Sequence, residues 1–320
     1  MQIEIKSLLH TFPLDSSEYD AVGLFFWTTV GFSWVLSFAG LFLRGGGGKR
    51  NYSVVDRLWP LFPALLAIQW SVLTASATKE IGRKTLFLQS LVLIWSLRLI
   101  YNSVRRGDYA LGAEDYRWTY VRRKFSNAIA WEAFNFLFIA VFQISLLYLM
   151  AKPIRHITMY EPEDGKWTAA ELVLAAAMVA SLAIEAVADQ QQYRFQLGKR
   201  QSPNESAYRV GFVHTGLWKY SRHPNLFCEQ AFWLCVALFC AQATGADLGV
   251  WCVAGEYLGG FALLTLLMQS SVALTEAISS SKYPLYKAYQ VKTSMLVPWA
   301  PWSNARVISQ AHRSRASCFE

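Results

Sequence analysis

The chain has 320 residues, of which 54% are hydrophobic and only 16% are charged. Soluble domains carry about 25% charged residues, so this composition excludes an ordinary soluble protein. The formal net charge of +8 is compatible with a nucleic-acid partner. Its distribution between apolar segments accounts for it without one, and we predict no nucleic-acid binding.

Seven stretches are long and apolar enough to cross a bilayer, which takes about 20 residues. They are residues 21–43, 58–77, 85–104, 132–151, 168–188, 226–245 and 249–275. The first has acidic residues before it and no small-residue cleavage site after it, unlike a signal peptide. We predict an all-α, polytopic membrane helix bundle with about seven transmembrane helices.

The Lys and Arg residues between these stretches predict the orientation. One set of alternate connecting segments holds 7 of them and the other set holds 22. Under the positive-inside rule the richer set is cytosolic, so the N-terminus is lumenal or outside and the C-terminus is cytosolic.

A single membrane domain is predicted over residues 1–300. Residues 283–293 form a short amphipathic helix along the membrane surface, and residues 301–320 form a flexible cytosolic tail. The five cysteines lack paired metal-ligand spacing, so neither a metal site nor a disulfide is predicted.

The third stretch carries polar residues on one helical face. Arg98, Tyr101, Asn102 and Arg105 recur at i, i+3, i+4 and i+7. An Arg inside a bilayer costs about 2.5–3.5 kcal/mol on insertion scales, so Arg98 needs a carboxylate or a bound anion as its partner. The alternative is snorkelling to the interface, which suits Arg105 and Arg106 better than Arg98.

Glu185, Asp189 and Gln192 share a face at the end of the fifth stretch. Carboxylates at a helix C-terminus are opposed by the helix dipole. We expect the arginine face of the third stretch, or the hydroxyls of a ribose, to offset this cost. The alternative is a solvated helix exit.

Residues 222–229 begin the sixth stretch. Pro224 suits the first turn of a helix, whose free N–H groups and dipole would then lie beside Arg222 and His223 as an anion site. Asn225 and Glu229 follow one turn apart. This order favours a nucleotide cofactor that reaches from the cytosol into the bilayer. Alternatively, Arg222 binds lipid phosphate and Glu229 pairs with it.

Four ordered motifs carry a family resemblance: "SLRLIYNSVRRG" (96–107), "EAVADQQQYRF" (185–195), "GLWKYSRHPNLFCEQAFW" (216–233) and "YPLYKAYQVKTSMLVPW" (283–299). Together they resemble the steroid 5-alpha-reductase superfamily over about residues 50 to 300. The loop "EDYRWTYVRRKF" (114–125) is typical of a branch with the reductase-type C-terminal domain.

The resemblance implies a seven-helix bundle that binds NADPH from the cytosol and reduces a lipid enone from the bilayer. It assigns to NADPH the residues Asn102, Arg105, Asp189, Arg194, Tyr220, Asn225, Glu229 and Tyr286. The spacing of the polar residues adds Arg98, Arg222 and His223 to this set.

The proton donor departs from the family pattern. Steroid reductases have a Tyr three residues before the Arg of the third helix, and Trp95 stands there. Its indole donates a hydrogen bond but cannot give up a proton. Asp56 best matches the family's catalytic Glu, and Tyr101 is the nearest phenol. Asp56, Trp95 and Tyr101 are the predicted catalytic residues.

We predict an NADPH-dependent reductase of a carbon–carbon double bond in a membrane lipid, located in the endoplasmic reticulum. An S-adenosylmethionine-dependent methyltransferase is the alternative, because such lipid methyltransferases share an "RHP" cofactor signature. A non-enzymatic lipid-binding protein is the third hypothesis. Several arginines favour NADPH, whose phosphates are anionic, over a cofactor that is cationic at sulfur.

Overall fold

The computed structural model describes residues 31, 51–78, 80–110, 112–162, 165–245 and 254–301. Within these ranges the chain is helical and contains no β-strand, apart from an isolated bridge between Ser221 and Ser294. The prediction of an all-α fold is confirmed for this part of the chain. The apolar stretch 21–43, apart from residue 31, and residues 302–320 of the expected tail lie outside the described residues.

The helices are α1 (Val54–Leu58), α2 (Leu61–Thr78), α3 (Arg83–Arg106), α4 (Tyr116–Arg122), α5 (Ala128–Phe134), α6 (Gln143–Tyr160), α7 (Ala169–Gln201), α8 (Pro224–Ala243), α9 (Gly259–Lys282) and α10 (Tyr286–Lys292). A π-helical segment, Asn135–Phe142, joins α5 to α6, and another, Ala254–Leu258, leads into α9. A 3-10 turn, Gly216–Lys219, precedes α8.

In the described part of the chain, five helical segments are long and apolar enough to cross a membrane, as in a multi-pass membrane protein. They are Arg83–Arg106, Ala128–Tyr160, Ala169–Gln201, Pro224–Ala243 and Gly255–Lys282. Helix α2 covers the predicted stretch 58–77, but its apolar part, Leu61–Ser76, is shorter than a typical span.

Helix α7 extends 13 residues beyond the predicted stretch 168–188. The apolar window stops where charged residues begin, but the Gln, Arg and Lys residues that follow are good helix formers. The N-terminus of α7 is fixed by a capping box between Thr168 and Glu171. Hydrophobicity therefore located this helix but underestimated its length.

The chain divides into two compact units, which are described separately. The first contains residues 51–58 and 110–148 of the described chain. Its polar contacts include the Tyr52 hydroxyl, which donates to Glu132 at 3.0 Å, and the Trp118 indole, which donates to Asp56 at 2.8 Å. Trp131 packs edge-on against Tyr52 at a centroid distance of 5.0 Å.

The second unit contains residues 59–109 and the described residues from 149 onward. Helices α3 and α7 run parallel in it, because Lys84 pairs with Glu171 near their N-termini and Arg98 pairs with Glu185 fourteen residues later. The Lys84–Glu171 pair is 2.8 Å long and its side chains are 3% and 1% exposed.

Helix α8 runs antiparallel to α3 and α7. Its C-terminal Phe239 packs against Phe87 and Trp167, near the N-termini of the other two helices. Its N-terminal Asn225 reaches Asp189 of α7. The C-terminal ends of α3 and α7 therefore meet the N-terminal end of α8, and the candidate site is built there.

Candidate functional site

Asp189 of α7 is the centre of a buried polar cluster. Its carboxylate accepts hydrogen bonds from Arg98, from Asn102 Nδ2 at 2.6 Å and from Asn225 Nδ2 at 3.3 Å. These donors come from α3 and α8, so one carboxylate holds three helices together. The prediction that the arginine face of α3 offsets the carboxylates of α7 is confirmed.

Glu185 lies one turn before Asp189 and forms an ion pair with Arg98. Its Oε1 is 2.7 Å from Arg98 Nη2, although the angle is poor for a hydrogen bond. Glu229 of α8 is close enough to interact electrostatically with Arg98, and the Trp59 side chain hydrogen-bonds to it. Glu185 and Glu229 are 1% and 6% exposed.

Arg105 lies at the C-terminal end of α3. Its guanidinium is 4.1 Å from the ring centroid of Tyr193 and 5.0 Å from that of Tyr101. It also donates to Gln190 Oε1 at 2.6 Å and to the Asp189 carbonyl at 3.3 Å. Cation–π contacts and hydrogen bonds thus fix its position beside the buried carboxylates.

We define the acid cluster as Arg98, Asn102, Arg105, Glu185, Asp189, Asn225 and Glu229. Six of these seven residues were predicted to bind the cofactor, and the structure brings the six together. Glu185 was recognised by its position on the face of α7. Tyr101 is at the edge of the α3 face and is 63% exposed.

An aromatic layer lies one turn away from the acid cluster along α3 and α8. Trp95 packs edge-on against Trp233, with centroids 5.0 Å apart and an interplanar angle of 87°. Both side chains are fully buried. Trp95 is three residues before Arg98, and Trp233 is four residues after Glu229. The layer is therefore continuous with the acid cluster on both helices.

Several buried polar atoms in and beside the acid cluster have unused hydrogen-bonding capacity. Within the described residues, the atoms of this region without a hydrogen-bond partner are Arg98 Nε and Nη2, Arg105 Nε, Glu185 Oε2, Gln192 Oε1, Trp95 Nε1 and Trp233 Nε1. A buried polar atom without a partner costs about 1–3 kcal/mol. A ligand that offers both donors and acceptors could recover part of this energy.

Arg222 and His223 occupy a different setting. Pro224 is at the first position of α8, as predicted. Arg222 Nε donates to Glu276 Oε1 at 2.6 Å, and its Nη1 donates to the carbonyls of Gln290 and Thr293. The expected anion at this place is thus supplied by the protein itself. The alternative pairing of Arg222 with Glu229 is wrong.

The remaining predicted residues are dispersed. Arg194 is exposed and Tyr220 is 44% exposed. Tyr286 is buried against Phe212, with ring centroids 5.0 Å apart. Their assignment to a cofactor stays a prediction.

Asp56, the third predicted catalytic residue, belongs to the first unit. Burial raises the pKa of its carboxyl group, although the Arg117 guanidinium and the Trp118 indole act in the opposite direction. An upward shift is the direction that suits a carboxyl group acting as a proton donor.

Glu276, Gln190 and Tyr193 also contact the predicted residues but were not predicted from the sequence. Glu276 is a single carboxylate near the end of an apolar helix, which is by itself a signal that a buried partner is present. Gln190 and Tyr193 of α7 both contact the guanidinium of Arg105 on α3. Their roles depend on a contact between helices that periodicity within one helix does not predict.

The model of a protein family described as "Protein of unknown function (DUF1295)" matches residues 46–293. The chain belongs to this family. The DUF1295 match includes the whole acid cluster. An uncharacterized protein of Schizosaccharomyces pombe is 34% identical over 262 residues, covering 78% of this chain and 73% of the relative. No solved structure matches the chain significantly.

Proposed function

We propose that the protein is an NADPH-dependent reductase of a carbon–carbon double bond in a membrane-dissolved lipid. The proposal takes up the resemblance to the steroid 5-alpha-reductase superfamily, on motifs that contribute most of the acid cluster. It includes seven transmembrane helices, a lumenal or outside N-terminus, a cytosolic C-terminus and a location in the endoplasmic reticulum.

The observation that carries the proposal is the separation of charge along the helix axes. The carboxylates of Glu185 and Glu229 are buried. Basic residues occupy the last turns of the two parallel helices, as Arg105 and Arg106 in α3 and as Lys199 and Arg200 in α7. NADPH has a matching polarity, with phosphates at one end and an uncharged amide-bearing ring at the other.

The residues of the acid cluster also fit the hydrogen-bonding groups of NADPH. A carboxamide both donates and accepts, and Asn102, Asp189 and Asn225 offer both kinds of partner. Arg105 retains an unpartnered Nε within the described residues and lies beside the basic helix ends. The unmatched groups around the acid cluster are therefore of the types that this cofactor needs.

These positions suggest a role for each residue in the proposed reaction. Bound NADPH supplies the hydride. Arg105 binds phosphate, and Asn102, Asp189 and Asn225 hold the amide-bearing end. Trp95 donates its unpartnered N–H to the carbonyl oxygen of the lipid, where negative charge develops. Arg222, whose donors already bind Glu276 and two carbonyls, secures the C-terminal segment instead of binding phosphate.

A methyltransferase is the second candidate, because one feature of the acid cluster favours it. Glu185, Asp189 and Glu229 outnumber the two guanidiniums of the acid cluster, Arg98 and Arg105, and a cationic sulfonium would balance the difference. The basic helix ends, however, would then have no phosphate to bind. The reductase accounts for both the carboxylates and the arginines.

Thermal stability in detergent distinguishes these functions, because a ligand that binds only the native state raises the midpoint. We expect NADPH to raise it by several degrees and S-adenosylhomocysteine to leave it unchanged. The reverse result supports the methyltransferase. No shift with either compound, combined with a shift on adding lipid, supports a non-enzymatic lipid-binding protein.

A matched pair of variants localises the effect. Arg105→Gln should reduce the NADPH-induced shift in a salt-sensitive manner, because the lost contact is charge-assisted. Arg83→Gln, at the opposite end of the same helix, should retain the full shift. Equal shifts in both variants would place the cofactor elsewhere.

A further inference from the structure

The acid cluster contains one carboxylate more than it has guanidiniums. Its acids are Glu185, Asp189 and Glu229, and its bases are Arg98 and Arg105. The other ionisable groups beside it in the described residues include Tyr101 and Tyr193, whose rings lie against Arg105, and the Cys228 thiol, which is neutral at pH 7. Arg106 is also near, but it is 56% exposed and paired with Asp108. With every carboxyl ionised, the cluster would carry an unbalanced negative charge.

A buried charge without a partner is far more costly than the uptake of a proton. The contacts indicate where the proton resides. Asp189 accepts from three donors, an arrangement that favours its ionised form. Glu185 has one oxygen against Arg98, and its Oε2 has no hydrogen-bond partner in the described chain. Glu229 is near enough to Glu185 for the two carboxyls to repel each other when both are ionised.

We propose that Glu185 and Glu229 together hold one proton at neutral pH and that this carboxylic acid is the proton donor of the reduction. The second part rests on the proposed function. It supplies the acid that Trp95 cannot provide, since an indole does not release its proton. It also gives a reason for three carboxylates in an apolar helix bundle.

Reduction of a C=C bond needs a hydride and a proton. NADPH would supply the hydride to one alkene carbon and become NADP⁺, and the π electrons would move to the second carbon and its carbonyl. The carboxylic O–H bond then breaks, and its proton forms the second C–H bond. The electron pair stays on the carboxylate, where Arg98 stabilises it, and water returns a proton after product release.

Infrared spectroscopy tests the bound proton without any cofactor. A protonated carboxyl gives a C=O band that shifts in D₂O, and a carboxylate does not. We record difference spectra at pH 7 by subtracting the spectrum of Glu185→Gln, or that of Glu229→Gln, from the spectrum of wild type. The band is expected in both. Glu171→Gln, which removes a carboxylate paired with Lys84, should leave the band in place. Its absence from both differences overturns the proposal.

The pH dependence of stability gives a second readout. When the native state binds one proton more than the unfolded state, the unfolding equilibrium constant rises about tenfold per pH unit. Wild type should therefore lose stability as pH rises above the ordinary range of a Glu side chain, and each Gln variant should lose less. If one variant does not fold, the other gives the same test. Equal pH slopes in wild type and both variants contradict a shared proton.

These outcomes separate the two proposals. If the carboxylic acid is present but NADPH does not bind, the proposed reductase fails and the proton site remains. If NADPH binds, Glu185→Gln should keep its affinity and reduce the rate of the reductive step at least tenfold. Unchanged turnover in both Gln variants would exclude this acid as the proton donor.

Discussion

Glu276 near the end of α9 binds Arg222, two residues before α8, through two contacts, Nε to Oε1 at 2.6 Å and Nη2 to Oε2 at 3.0 Å. It also accepts from His223 Nε2 at 3.0 Å and from Gln290 Nε2 at 2.8 Å. The carboxylate thus joins two candidate membrane helices to the short helix α10. Its position makes it a structural anchor beside the candidate site.

Glu276→Ala should lower the free energy of unfolding by about 3–5 kcal/mol, because the buried guanidinium of Arg222 loses its counter-ion. Denaturant unfolding in detergent measures this effect. Glu205→Ala changes an exposed carboxylate and should stay within about 0.5 kcal/mol of wild type. A similar loss of stability in both variants would show that Glu276 contributes no more than an exposed carboxylate.

Asp56 should make stability fall as pH rises. Burial raises the pKa of this carboxyl in the folded protein. A raised folded pKa means that the native state binds the proton more tightly, so its stabilising contribution is complete below the ordinary Asp pKa of about 4 and is lost above it. Asp56→Asn should therefore flatten the decline of the thermal midpoint as pH rises above about 4. Asp108→Asn, an exposed control, should follow wild type.

Gly260 should not tolerate a side chain. A Cβ at this position would meet the backbone carbonyl of Leu149 and the backbone nitrogen of Met150. Gly260→Ala should therefore cost about 1–3 kcal/mol, as overpacking does. Gly255→Ala is the matched control, since nothing lies within 4 Å of its Cβ position. The thermal midpoints of the two variants compare these costs, and equal midpoints would show that the helices separate easily.

Membrane orientation can be measured with terminal tags. With seven spans, a tag before residue 1 is protected from protease in intact microsomes, and a tag after residue 320 is cleaved. The positive-inside distribution gives this expectation. If both tags are on the same side, the number of spans is even.

Five of the seven predicted stretches correspond to candidate membrane-spanning helices, because the signal for an apolar helix is local. The stretch 226–245 corresponds to Pro224–Ala243, and 85–104 corresponds to Arg83–Arg106. The partner of Arg98 could also be predicted from the sequence. A buried Arg requires an anion, and the carboxylates of α7 required a cation.

The contacts of Arg222 could not be predicted, because the local sequence fits two arrangements. A basic residue beside a helix N-terminus fits a phosphate site and a buried ion pair equally well. The choice depends on Glu276, which is 54 residues away in the sequence. Only the packing of α9 against α8 decides between the two arrangements.

Two of the ion pairs between α3 and α7, Lys84–Glu171 and Arg98–Glu185, restrict how this pair of helices can move. Lys84 and Arg98 are fourteen residues apart, as are Glu171 and Glu185, which is about 21 Å along each helix. A register shift of one residue combines a translation of about 1.5 Å with a rotation of about 100°. Both ion pairs would therefore break together. The two helices are therefore held in a fixed register and move as one rigid pair. Opening a passage for a large ligand must come from elements that pack against them, and crosslinking α3 to α7 should leave that passage intact.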